Sequence, residues 1–166
     1  MTGFKDNALK TAAVSGISSD NFEAVGIHEW PTVMRKIERA FVVKENSNTK
    51  FNWWWERFKG PQYKISFEKD NAFEYLDQLI DEKEKVWFVG CDTDYDPSKF
   101  WLFQGCVKPI QKIIGEQAPF EYYLISKKYK WLLCETDHGV LIGLGSIIPR
   151  MMTLATTGQR PASPHC

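Results

Sequence analysis

Between Phe120 and Gly145 the chain reads Phe-Glu-Tyr-Tyr-Leu-Ile-Ser-Lys-Lys-Tyr-Lys-Trp-Leu-Leu-Cys-Glu-Thr-Asp-His-Gly-Val-Leu-Ile-Gly-Leu-Gly, β-prone runs parted by short polar breaks. Strand-length runs with such breaks predict three consecutive antiparallel strands. A meander of that kind sets the architecture and gathers Glu135, Asp137 and His138 at one turn. It carries no catalytic signature of its own.

Upstream, the spacing of apolar residues predicts the remaining elements. Val33, Ile37 and Phe41 recur every four residues among charged neighbours, and Pro31 suits a first helical turn, so a helix is expected to end near Val43. Tyr63, Ile65 and Phe67 alternate with polar residues as a half-buried strand does. Asp70 is placed to cap a helix with Phe73, Leu76 and Ile80 on its inner face, and the run Val86 to Val89 is a further strand. Lys99 to Phe103 is the next candidate strand, and Val107, Ile110, Ile113 and Ile114 predict a short helix closed by Gly115. Residues 1–20 lack sustained periodicity and read as a loose arm or one weak helix. After Pro149 the pattern weakens. The expectation is one α+β domain over residues 1–153, a mixed sheet with helices on one side, and a flexible tail over 154–166.

The 166 residues suit one domain, and 43% hydrophobic content suffices for a core without disulfide staples. Cys91, Cys106, Cys134 and Cys166 form no CxxC pair, and no apolar signal segment opens the sequence, which predicts a reduced, cytoplasmic setting. The apolar window Val140 to Ile148 is far short of the roughly 20 residues that a membrane helix needs. Net charge is zero, yet it is segregated: residues 1–67 sum to +3, 68–96 to −7 and 97–166 to +4. That balance argues against a nucleic-acid partner and favours a basic protein partner for the acidic segment. Glu74, Asp77, Asp81 and Glu82 would equally form the solvated face of a helix.

Three constellations invite a chemical reading. Asp92, Asp94 and Asp96 follow an apolar strand, but Pro97 stands where a calcium loop wants glycine and Phe103 where it wants glutamate. An aspartyl phosphatase signature fails too, because Asp96 occupies the position of its threonine. His138 beside Glu135 and Asp137 suits a general base, whereas Thr136 to Gly139 is equally an ordinary turn, and neither His28 nor His165 lies at ligand spacing. Cys134 sits inside a strand and reads as a small core residue. The triplet Trp53, Trp54 and Trp55 cannot all face one core, so at least one is expected to be exposed or to cover an edge.

The block from Glu121 through Trp131, Glu135, Asp137, His138 and Leu141 to Gly145 resembles a bacterial family of small uncharacterised α+β proteins, some of which look like immunity proteins of toxin systems. The resemblance implies a cofactor-free protein-binding module that inhibits a basic toxin domain, without catalytic residues. Its expected contact surface is Glu74, Asp77, Asp81, Asp92, Asp94 and Asp96, with Trp53 and Trp54 as anchors. Two alternatives stay open. One is a metal-assisted hydrolase using the Asp92 to Asp96 loop or the Glu135 to His138 turn, and the other is a structural homo-oligomer built on a strand edge and tryptophans.

Overall fold

The computed structural model describes residues 3–43, 57–67, 71–91, 100–117, 120–136, 138–156 and 164–165. Its framework is one eight-stranded sheet. The strands are β1 (Phe22–Ala24), β2 (Gln62–Ser66), β3 (Lys85–Cys91), β4 (Phe100–Cys106), β5 (Tyr122–Ser126), β6 (Trp131–Glu135), β7 (Val140–Gly145) and β8 (Pro164–His165), in spatial order β1-β4-β3-β5-β6-β7-β2-β8. The predicted meander is β5-β6-β7, with Tyr122 opposite Glu135 and Trp131 opposite Gly145.

Among the described residues every strand pairing is antiparallel, so the expected mixed sheet is corrected. The segment that reads as strand, helix, strand does not make neighbours of β2 and β3. Three strands of the meander lie between them. Hairpin neighbours close short loops, which costs little chain entropy, and β2 is left to pair with the outer edge of β7.

Helices cover both faces rather than one. Helices α1 (Phe4–Val14), α3 (Val107–Gly115) and α4 (Ile148–Thr156), with the 3₁₀-helix Ala72–Gln78, pack on a face built from Ile65, Phe88, Phe103, Tyr122, Leu124, Leu133 and Leu141. Helix α2 (Trp30–Phe41) lays Val33, Met34, Ile37 and Phe41 on the other face, against Val89, Leu102, Tyr123, Ile125, Leu132 and Ile142. The physical reason lies in β5 and β6, which are buried at every position. Strands apolar on both sides need both sides covered.

The weak periodicity of residues 1–20 conceals a real helix. Phe4, Ala8 and Ala12 recur four apart and are all buried, and the small alanines let α1 lie close to its neighbours. Phe4 reaches Phe103 and Phe120, with ring centroids 5.9 and 4.7 Å away. Gly90 makes room for it, since a Cβ there would stand 2.3 Å from Phe4 Cε1. At the other end, Pro149 falls in the first turn of α4, where a missing N–H is no loss. Met151, Leu154 and Ala155 bury that helix as far as Thr156, beyond the expected boundary at 153. The expected tail falls mostly outside the described residues, of which Pro164 and His165 pair with Ile65 and Lys64 of β2. No helix among the described residues is long and apolar enough to cross a membrane.

Candidate functional site

The helix expected for the acidic segment is a 3₁₀-helix, Ala72–Gln78. With three residues per turn, Glu74 and Asp77 stand one above the other, and Asp81 lies just beyond the helix, which ends at Gln78. Asp70 lies outside the described residues; Asn71 occupies the cap position and donates from Nδ2 to Glu74 Oε2 at 3.3 Å. Beneath the helix Ala72, Leu76, Leu79 and Ile80 are buried, while Glu74, Asp77 and Asp81 are exposed.

Hydrogen bonds from two helices fix this acidic surface from behind. Gln111 on α3 donates from Nε2 to the Phe73 carbonyl at 2.8 Å and to Asp77 Oδ1 at 3.3 Å. Arg150 on α4 donates to the Leu79 carbonyl at 2.9 Å. Asp81 turns its own backbone by accepting from the Lys83 N–H at 2.8 Å, and Glu82 faces Lys108 at 3.7 Å with both side chains largely in water. Such an exposed pair contributes little stability and leaves the surface negative. The three described carboxylates are thus held on a supported backbone and directed outward. Asp92, Asp94, Asp96, Trp53 and Trp54 lie outside the described residues.

The Glu135 to His138 turn is organised by Thr136. Its hydroxyl accepts from the backbone N–H groups of His138 and Val140 at 3.3 and 3.4 Å, and its own N–H donates to the Val140 carbonyl at 2.9 Å. Glu135 is 7% exposed whereas His138 is exposed, and Asp137 lies outside the described residues. Turn formation therefore accounts for the Thr136 and Gly139 positions. Cys134 is fully buried within β6, as a core residue. Among the described residues no group of three or more His, Cys, Asp or Glu side chains is placed to hold a metal ion.

A family of unknown function, DUF6756, matches residues 1–155. The chain belongs to DUF6756. Comparison with curated proteins and with solved structures gives no match. The match spans the acidic surface and the meander of this DUF6756 chain, so both are parts of one family domain.

Two polar features of the DUF6756 chain escape a reading by periodicity. The first is a pair of buried glutamates flanking the meander core. Glu121 is 5% exposed and accepts from the Tyr123 hydroxyl at 2.9 Å, on the face opposite that of Tyr122 and Glu135. Burial pushes the Tyr122 phenol well above its ordinary pKa, and the Glu135 carboxylate adds to the shift. The second is Lys127, whose Nζ lies 3.5 Å from the centroid of the Trp87 ring and donates to Gln104 Oε1. Gln104 in turn donates to Glu23 Oε1 at 2.7 Å, so one ammonium ties the β5-β6 turn to β3, β4 and β1. Partial burial lowers the Lys127 pKa, with Glu29 opposing that shift and Lys85 adding to it. A signal existed for both features: charged residues at the ends of the apolar runs of the meander, Glu121 and Lys127 on either side of β5 and Glu135 at the end of β6.

Proposed function

We propose that this DUF6756 chain is a small protein-binding module whose acidic surface covers a basic surface on a partner protein. The observation that carries the reading is the outward exposure of Glu74 and Asp77 on a short helix, and of Asp81 just after it, on a segment fixed from behind by Gln111 and Arg150. Carboxylates on a preformed backbone attract a cationic partner at long range and lose little entropy on docking. In its finer form the proposal is an immunity-type inhibitor of a basic toxin domain, acting in a reduced cytoplasm. The resemblance of the Glu121 to Gly145 block supports it, and the Cys106 thiol, which forms no disulfide, is consistent with that setting.

The test is coexpression with the reading frame adjacent to the gene, scored by growth. Wild type should restore growth, and the triple reversal E74K/D77K/D81K should fail while retaining its far-UV circular dichroism. The direct measurement is association with the purified adjacent product, expected to slow by about tenfold or more in the reversed variant and to slow steeply with salt in wild type. Unchanged association after charge reversal would sink the acidic-surface reading, and no effect on growth by either protein would sink the inhibitor reading.

A further inference from the structure

We infer that a cationic cleft on the opposite face of the sheet is a binding site for a small phosphate monoester. The cleft lies where α2 ends and the chain returns. Its volume is about 460 Å³, and it is lined by Arg35, Glu38, Arg39, Val42, Val43 and Lys59. That size lies within the range of small-molecule sites, roughly 300 to 1,000 Å³.

The local fold explains why these residues meet. Val33, Met34, Ile37 and Phe41 bury one stripe of α2, so Arg35 and Arg39, four residues apart, share the exposed ridge. An isolated antiparallel bridge joins Val42 to Phe58, with Val43 N–H donating to the Arg57 carbonyl at 2.7 Å and Lys59 N–H to the Phe41 carbonyl at 2.8 Å. This return sets Lys59 beside the helix end, where its Nζ donates to the Arg39 carbonyl at 2.6 Å. Among the described residues the lining thus carries three cations, Arg35, Arg39 and Lys59, one carboxylate, Glu38, and the apolar Val42 and Val43.

A helix C-terminus favours Arg39 and Lys59 by its dipole, but it does not account for Arg35 a full turn earlier. Glu38 offsets one of these positive charges and leaves the described lining net cationic. Two guanidinium forks and an ammonium match the oxygens of a phosphate dianion, which offers several acceptors at once. The valine wall, with Val43 47% exposed, suits the organic portion of an ester. The site is on the α2 face, away from the acidic 3₁₀-helix, and stands or falls independently of the protein-binding proposal.

Isothermal titration of the full chain with inorganic phosphate, phenyl phosphate and a thymidine oligonucleotide tests the inference. Expected is saturable one-to-one binding of phenyl phosphate, tighter than inorganic phosphate and about tenfold weaker in R35A and in R39A. K36A, which alters a neighbouring exposed lysine outside the cleft, should bind as wild type does, and circular dichroism should show all three variants folded. Absence of saturable binding at millimolar phenyl phosphate overturns the site. So does an equal loss in K36A, which would indicate general attraction, or binding of the oligonucleotide alone.

Discussion

Tyr122 has a phenol that water does not reach, with 1% of its surface exposed, and Glu135 lies opposite it in the sheet. An ionised phenol there would be both desolvated and repelled, so the folded chain retains a proton that the unfolded chain sheds near pH 10. The folded pKa is raised above the unfolded one. The resulting stabilisation is complete below about pH 10 and is lost as pH rises through the folded value. Tyr129, also raised by burial, acts in the same direction. Lys127 acts oppositely: its lowered folded pKa makes stability rise as pH climbs from that value towards its ordinary 10.5. Urea midpoints from pH 8 to 11 should therefore fall less steeply in Tyr122→Phe than in wild type, and an identical slope in the two would refute the assignment. Gly90 is a second sensitive residue. A methyl group added there meets the Phe4 ring at 2.3 Å, so Gly90→Ala is expected to cost about 1 to 3 kcal/mol by overpacking. Combining it with Phe4→Leu, which trims the obstructing ring, should recover part of that loss. A simple sum of the two single losses in the urea midpoints would show that the ring is not the obstacle.

At the scale of elements, legibility followed how strongly each side chain contrasts with water. Helices α2 and α3 were readable because valine, isoleucine and phenylalanine mark their buried stripes among lysines and arginines. Helix α1 was obscured because two of its three buried positions are alanines, which barely shift a hydropathy pattern. Helix α4 is hard to read because the apolar pattern weakens after Pro149, which stands in the helix's first turn. Period two identified the strands but not their partners, since alternation fixes a face and says nothing of which distant edge is free. The pairing of β2 with β7 was thus beyond reach, and with it the wholly antiparallel order. In the candidate site, the exposure of Glu74, Asp77 and Asp81 was legible, whereas their support by Gln111 and Arg150 depends on long-range packing. The cleft required Lys59 to return to Arg39 across a separation of 20 residues. Ile37, fully buried beneath α2, gives the element a direct measure: Ile37→Ala should cost about 2 to 5 kcal/mol in urea unfolding, against less than about 0.5 for Lys36→Ala one residue earlier. Equal effects would mean that α2 is not held by its apolar stripe.

Across the whole molecule, two apolar clusters lie on opposite faces of one sheet and share its strands. Phe88 and Tyr122 project to one face while Val89 and Tyr123, next in sequence, project to the other, so neither cluster has a backbone of its own. Stripping α2 from its face would expose Tyr123, Ile125 and Leu132, and the strands carrying them also form the floor beneath α1 and α3. Cooperativity should therefore extend through the sheet. Ile37→Ala on one face and Ile110→Ala on the other, both fully buried positions, are each expected to lower the stability of a single transition. The check is urea unfolding of both variants followed by tryptophan fluorescence and by far-UV circular dichroism. Coincident curves with an unchanged m-value are expected for each, because the surface exposed on unfolding is that of the whole domain. Separate midpoints for the two probes, or a reduced m-value in Ile37→Ala alone, would mean instead that the α2 face opens independently and that the sheet does not couple its two cores.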